Sequence, residues 1–160
     1  MARWQVLLGL VCWIALSLLA GAIGSLATAE SVSTWYADEL QKPGWTPPGW
    51  LFAPVWTVLY LMMGTAAWLL WRKGGFLAAL APLSLFLAQL VLNAAWSLIF
   101  FGLRRPDLAL AELAVLWLAI TATAITFYRR DRLAGLLLVP YLSWTTFAAA
   151  LNFAIWRMNA

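Results

Sequence analysis

Polar side chains recur at four-residue spacing in one long apolar stretch of the chain, at Gln89, Asn93 and Ser97. This spacing places the three on one face of a helix, with Trp96 beside two of them. Polar groups are costly inside a bilayer and usually face the interior of a helix bundle or a cavity. The stripe therefore either joins neighbouring helices by hydrogen bonds or lines a ligand site, and the spacing alone favours neither.

Two other stretches combine tryptophan with groups that can form hydrogen bonds. Trp56 and Tyr60 lie one helical turn apart, and Trp144, Ala148 and Asn152 share a helix face. Because Ala148 is small, that face can form a concavity between aromatic walls. The pattern predicts a cavity between helices that suits a large flat aromatic ligand.

Tryptophan is abundant, with 12 residues in a chain of 160, and this has a second explanation. Tryptophan collects at both surfaces of a membrane, where it anchors helix ends. Trp4 and Trp68 lie close to the ends of apolar stretches and fit that role. Trp56, Trp96 and Trp144 lie further inside, so these three are the candidates for cavity walls.

The composition excludes several kinds of site. The sequence has no histidine and a single cysteine, Cys12, so it lacks the commonest metal ligand, the commonest general base and any disulfide framework. We predict no metal site and identify no firm catalytic residue. The net charge of +4 comes from scattered basic residues without a long basic run, so a nucleic-acid partner is not expected.

One acidic residue, Glu112, falls within an apolar stretch. It lies less than two turns after Pro106 and Asp107, where a helix is predicted to start, and a carboxylate near a helix N-terminus is favoured by the helix dipole. A solvated or capping carboxylate is the main interpretation. A proton relay is the alternative, which the absence of a second acid from the apolar spans disfavours.

The elements that position these residues are predicted from hydropathy. Hydrophobic residues make up 65% of the chain, and a membrane-spanning helix needs about 20 mostly apolar residues in succession. We predict an all-α integral membrane protein, a five transmembrane helix bundle in one domain with a long structured loop between helices 1 and 2. The domain covers residues 1–160, with spans at about 4–27, 50–71, 76–102, 107–128 and 133–156 and the loop at 28–49.

The loop is rich in residues that fix the backbone. The run from Lys42 to Trp50 holds three prolines and two glycines, which predicts either a rigid turn back to the bilayer or a cap over a cavity. A short helix over residues 31–41 is predicted at interfacial depth. Lys and Arg number six on the N-terminal side of the membrane and four on the other, which predicts a cytoplasmic N-terminus and a loop on the opposite side.

The first span carries small residues, Ser17, Gly21 and Ser25, at four-residue spacing. Small residues at this spacing let helix backbones approach closely. Their partner is either the same span of a second copy or another span of the same chain. For self-association, the third span is the next candidate.

Motifs in the loop and in spans two, three and five occur together in one order. They are Trp35-Tyr36, Lys42-Pro43, Trp45 to Pro48, Pro54 to Thr57, Leu92 to Ser97, Val139 to Trp144 and Leu151-Asn152. As a set they resemble the tryptophan-rich sensory protein and translocator protein family, also called peripheral benzodiazepine receptors. The similarity extends over nearly the full 160 residues.

The resemblance implies a five-helix bundle, commonly a homodimer, that requires no cofactor and binds tetrapyrroles such as protoporphyrin IX and haem. Some members bind sterols, and synthetic benzodiazepine-site ligands also bind the family. The chain departs from the family's sterol pattern, because Asn152 and Phe153 stand before Arg157 where that pattern has tyrosine. Matched residue by residue, the implied ligand-binding residues are Tyr36, Trp45, Trp56, Tyr60, Asn93, Trp96, Ser97, Trp144, Ala148 and Asn152.

Two functions follow from the residues and the resemblance together. The first is a membrane receptor or carrier that binds porphyrins and regulates tetrapyrrole levels. The second is an enzyme that degrades bound porphyrin in light, since some bacterial relatives are reported to do so with tryptophans that match Trp56 and Trp144. The lack of metal ligands and of a paired acid and base favours the first. A multi-pass chain of this kind is expected in a bacterial inner membrane.

Overall fold

The computed structural model describes residues 2–160 and is almost entirely helical. Five segments are long and apolar enough to cross a membrane, which confirms the predicted five-helix bundle. Two π-helical turns, Trp35–Glu39 and Leu98–Gly102, and one 3-10 turn, Gly49–Leu51, join the longer helices. The helices are α1 (Arg3–Val32), α2 (Phe52–Trp71), α3 (Gly75–Ala78), α4 (Leu80–Ser97), α5 (Pro106–Arg130), α6 (Arg132–Leu136) and α7 (Val139–Asn159).

Prolines interrupt the third and fifth predicted spans. Proline lacks a backbone N–H, and its ring clashes with the carbonyl four residues earlier. For Pro82 that carbonyl belongs to Ala78, where α3 ends, and for Pro140 it belongs to Leu136, where α6 ends. The freed Ala78 carbonyl instead accepts a hydrogen bond from Arg130 Nη1 at 2.7 Å. Each of these two spans is therefore a short helix followed by a long one.

The loop between α1 and α2 folds back onto the bundle. Helix α1 continues to Val32, beyond the predicted end of the first span, and a single π-helical turn takes the place of the predicted short helix. Trp35 and Leu40 are buried against Phe100 and Ile155 in a small apolar cluster. The loop is thus part of the packed structure, whereas the sequence placed these two side chains at the membrane interface.

Helices α1 and α2 pack most closely toward the N-terminus of α1. A Cβ atom on Gly64 would lie 2.6 Å from the Cα of Ile14, so only glycine allows this contact. One turn further along α2, Trp68 Nε1 donates a hydrogen bond to the Val6 carbonyl at 2.8 Å. These contacts hold the two helices together at the end that carries the chain's N-terminus.

Polar contacts brace the same end of the bundle. Lys73 Nζ lies 2.8 Å from Asp131 Oδ2, which links the turn after α2 to the turn after α5. The hydrogen bond from Lys73 holds the pKa of the Asp131 carboxyl below its usual value. Asp131 also caps α6, because its side chain accepts a hydrogen bond from the Ala134 amide at 3.0 Å.

The small residues of the first span pack within the chain. A Cβ on Gly21 would lie 2.3 Å from the ring of Tyr60, and one on Gly24 would lie 2.9 Å from Ser97 Oγ. Ser17 is fully buried. Of the two predicted partners, the structure shows another span of the same chain at Gly21 and Gly24, where Tyr60 and Ser97 occupy the neighbouring space. Self-association through this span stays a prediction.

The bundle is solid at one end and hollow at the other. Its main apolar core lies toward the braced end and includes Met63, Leu83, Phe86 and Ile120, all fully buried or nearly so. Around the bundle the closely packed neighbours are α1 with α2, α1 with α4, α4 with α5, and α5 with α7, while α2 and α7 touch little. The gap between α2 and α7 leaves room for a cavity at the loop end.

Candidate functional site

A cavity of about 560 Å³ lies at the loop end of the bundle, enclosed by α1, α2, the α4 segment and α7. Ligand pockets commonly have volumes of about 300–1,000 Å³ and mostly apolar walls. No Lys, Arg, Asp or Glu stands among the side chains that line it. Eight of the ten predicted site residues line this cavity: Tyr36, Trp56, Tyr60, Trp96, Ser97, Trp144, Ala148 and Asn152.

Aromatic rings form the walls. Trp56 stacks on Tyr60 with ring centroids 5.5 Å apart, and it meets Tyr141 edge-on at 6.1 Å. Trp144 meets Phe52 edge-on with centroids 6.0 Å apart. These contacts link α2 to α7 across the cavity, and each such pair adds about 0.5–1.5 kcal/mol beyond simple burial.

The third tryptophan wall is fixed by hydrogen bonds. Trp96 Nε1 donates to Asn152 Oδ1 at 3.2 Å, and Asn152 Nδ2 donates to the Pro106 carbonyl at 2.8 Å. The Trp96 ring also stacks on Phe100 at 5.3 Å. Because both ends of its amide are engaged and its side chain is buried, Asn152 holds the Trp96 ring in place.

Asn93 lies behind the wall and does not line the cavity. Its side chain is 2% exposed. Tyr60 Oη donates to Asn93 Oδ1 at 2.5 Å, and Asn93 Nδ2 donates to Tyr141 Oη at 3.1 Å. The amide therefore joins Tyr60 to Tyr141 behind the cavity wall, and contact of Asn93 with a ligand stays a prediction.

Trp45 also lies away from the cavity. Its side chain is 51% exposed on the outer side of the loop, where it meets Phe147 edge-on at 5.8 Å. Tyr36 is the loop residue that reaches inward, and Lys42 Nζ fixes the chain there by donating to the carbonyls of Tyr36 and Ala37. Burial raises the pKa of Tyr36, so its hydroxyl stays protonated and can donate to a ligand.

Most of the chain matches one protein family. Residues 13–157 match the TspO/MBR family. The chain belongs to the TspO/MBR family. The resemblance deduced from the tryptophan and proline motifs is therefore confirmed. Family membership and the five apolar helices together make this TspO/MBR-family member a multi-pass membrane protein.

Its relatives come from archaea, bacteria and mammals. The chain is 44% identical to the tryptophan-rich protein TspO of Archaeoglobus fulgidus over 154 residues, which cover 96% of this chain and 99% of that protein. It is 43% identical to the tryptophan-rich sensory protein of Cereibacter sphaeroides over 141 residues, 86% of this chain and 87% of the relative. It is 46% identical to the human translocator protein over 127 residues, 78% of this chain and 75% of the relative.

Helix α1 supplies a wall that sequence reasoning missed in this TspO/MBR-family member. Its contribution consists of small and weakly polar side chains, among them Gly21, Gly24, Ser25 and Thr28. The four-residue spacing of small residues is the available signal, but by itself it predicts only close helix packing. Phenylalanine also lines the cavity, since Phe52 lies one turn before Trp56 on the same face of α2.

Glu112 is neither solvated nor a helix cap. Both of its carboxylate oxygens are buried and have no hydrogen-bond partner within residues 2–160. Gln89 Oε1 has none either in this part of the chain. The three residues of the predicted stripe therefore have different surroundings. Ser97 lines the cavity, Asn93 is hydrogen-bonded to Tyr60 behind the cavity wall, and Gln89 is buried in the core.

Proposed function

We propose that this protein is a membrane receptor or carrier that binds porphyrins, such as protoporphyrin IX and haem, and so regulates tetrapyrrole levels. The observation that carries the proposal is the cavity of about 560 Å³ with Trp56, Trp96 and Trp144 in its walls. A flat conjugated macrocycle can make offset and edge-to-face contacts with all three. Names of relatives such as translocator protein and tryptophan-rich sensory protein are compatible with carriage or sensing.

The lining suits the apolar face of a porphyrin better than its carboxylates. Because the lining side chains carry no charge, the carboxylates would lie toward the loop end, close to water and to Lys42. Tyr36 offers a hydroxyl donor on that side. Related hydrophobic ligands, including sterols and synthetic benzodiazepine-site compounds, would compete for the same space.

Titration of the purified protein with protoporphyrin IX tests the proposal. We expect quenching of tryptophan fluorescence with micromolar or tighter affinity, because the ligand would contact several of the tryptophans in the cavity wall. A specific site should supply at least about −6 kcal/mol, so no quenching up to about 50 µM would refute the proposal.

A second candidate, an enzyme that degrades bound porphyrin in light, is favoured by one observation. Trp56 contacts both Tyr60 and Tyr141, so the cavity wall is a cluster of oxidisable rings. The porphyrin would absorb the light, and dioxygen would be the oxidant. Illumination of the complex in air should then bleach the pigment's absorption, and Trp56→Phe should slow the loss while Trp50→Phe, an exposed position, should not.

We further propose a homodimer in a bacterial inner membrane. Gly21 of the first span contacts Tyr60 of the same chain, which leaves the outward face of α4 as the favoured surface. Ala88 and Val91 are exposed there, and small residues allow helices of two copies to approach closely. A five-span helical chain with most of its basic residues at one end suits an inner membrane.

A further inference from the structure

A buried acid stands outside the ligand cavity. Glu112 lies on α5 within a membrane-spanning helix, and neither of its carboxylate oxygens has a hydrogen-bond partner in residues 2–160. An ionised carboxylate in such surroundings is strongly disfavoured unless it is paired, and such a group takes up a proton instead. Ionisable residues inside a membrane span usually mark a functional site.

A chain of hydrogen bonds leads from the cavity toward this acid. Tyr60, in the cavity wall, donates from its hydroxyl to Asn93 Oδ1 at 2.5 Å, and Asn93 Nδ2 donates to Tyr141 Oη at 3.1 Å. Tyr141 is fully buried, and it accepts from Asn93, so its own O–H remains free to donate. Tyr141 lies on α7, which packs closely against α5, the helix that carries Glu112.

The unmatched groups complement one another. The chain ends in a phenolic donor, and the carboxylate of Glu112 offers two acceptors. With a proton bound, Glu112 also becomes a donor. One proton therefore changes whether this buried side chain can donate a hydrogen bond or only accept one.

We propose that Glu112 is a proton-binding site within the bundle, linked to the ligand cavity through Tyr141, Asn93 and Tyr60. This regulation rests on the proposed function of the cavity. Uptake of one proton from water converts the carboxylate into a neutral acid. A ligand that fills the cavity displaces water and lowers the local dielectric constant, so it disfavours the ionised form. Ligand binding and proton binding then strengthen each other.

Few other titratable groups face Glu112. On α7, which packs against α5, the titratable residues are Tyr141, which is buried, and Arg157, which is exposed. The neighbouring segment α4, Leu80–Ser97, contains no titratable residue. Tyr60 of α2 is connected through Asn93. On α5 itself, Asp107 is paired with Arg105 at 2.6 Å at the start of the helix. A proton that titrates inside the bundle can therefore be assigned to Glu112.

Infrared spectroscopy of the purified protein tests the proton site without any ligand. At about pH 6, well above the pKa of about 4.3 of an exposed glutamic acid, the carbonyl stretch of a protonated carboxylic acid should be visible. It should vanish in Glu112→Gln and persist in the matched control Glu30→Gln, since Glu30 is exposed. In Tyr141→Phe it should persist to higher pH, because loss of the phenolic hydroxyl makes the interior of the bundle less polar and so disfavours the ionised form further. A band unchanged in Glu112→Gln, or none in the parent, would overturn the proposal.

The link to the cavity is tested with protoporphyrin IX dimethyl ester, which has no carboxylates of its own. In the parent protein its affinity should fall by about tenfold as the pH rises through the loss of the infrared band. Glu112→Gln resembles the protonated form, so it should keep the higher affinity at every pH. The same pH dependence in both proteins would overturn the link. If the ester does not bind at all, the cavity proposal fails, and the infrared result still decides the proton site.

Discussion

Replacement of Ala148 by leucine should weaken porphyrin binding while the bundle stays folded. Ala148 lines the cavity on α7, one turn after Trp144, and is partly buried. Leucine places three more carbon atoms in space that the ligand would occupy, between rings that neighbouring contacts already hold. Overpacking of a well-packed site costs about 1–3 kcal/mol. Because 1.4 kcal/mol is a factor of ten, the affinity should fall about tenfold to a hundredfold.

Two control variants separate this effect from general damage. Ala150→Leu makes the same change on the exposed face of the same helix. Trp68→Phe lies at the far end of the bundle, where it removes the hydrogen bond to the Val6 carbonyl and reduces the contact of the ring with Arg72. Loss of the hydrogen bond should cost about 1 kcal/mol of stability. Both should bind protoporphyrin IX as the parent does in a tryptophan-fluorescence titration, with circular dichroism as the check on folding.

The competing explanation is that porphyrin adsorbs on the lipid-facing surface through interfacial tryptophans such as Trp4 and Trp50, which are exposed. In that case a side chain inside the bundle would not matter. Equal dissociation constants for the parent, Ala148→Leu and Ala150→Leu would refute the intramembrane cavity as the binding site.

Asn152→Ala removes the hydrogen bond to Trp96, so binding should weaken by about tenfold, with a greater shift of the Trp96 emission than in Ala150→Leu. Lys73 lowers the pKa of Asp131 in the folded protein, so the stability that this pair adds is present above the ordinary pKa of 3.8 and is lost as the pH falls through the lower folded value. The unfolding temperature of Asp131→Asn should therefore change less with acid pH than that of the parent. Ala88→Phe should convert a dimer to a monomer in detergent, measured by light scattering, and a dimer that persists would move the interface away from α4.

The helical architecture was predictable because hydropathy and length decide it. The interruptions were predictable too, since the rings of Pro82 and Pro140 each clash with the helical carbonyl four residues earlier. Hydropathy and length alone do not show these breaks. The end of α1 was harder. Glu30 is exposed and lies beyond the apolar run, yet the helix continues to Val32 because Ser31 is held by a hydrogen bond to the Phe101 carbonyl at 2.7 Å.

The sequence could predict which helix faces form the candidate site, but it could not predict which side chains on those faces are covered and which line the cavity. A helical repeat shows that Asn93 and Ser97 lie on one side of α4, but only the position of Tyr60 on a neighbouring helix decides that Asn93 is covered and Ser97 is not. In the loop, Tyr36 lines the cavity and Trp45 is exposed. The sequence could not predict this difference, because an irregular loop rich in proline has no repeat that tells which side chains face inward. Contacts between distant parts of the chain settle both cases.

The buried amides of the spans join neighbouring helices by hydrogen bonds, and the same hydrogen bonds fix aromatic rings that line the cavity. Asn93 connects Tyr60 to Tyr141, and Asn152 connects Trp96 to the start of α5. Each amide joins helices by hydrogen bonds, and in each case one of the groups joined is a ring in the cavity wall. Rings that are fixed before a ligand arrives lose less freedom on binding, which raises affinity. The mostly apolar cavity can therefore keep its shape, because hydrogen bonds behind its walls fix the aromatic rings that line it.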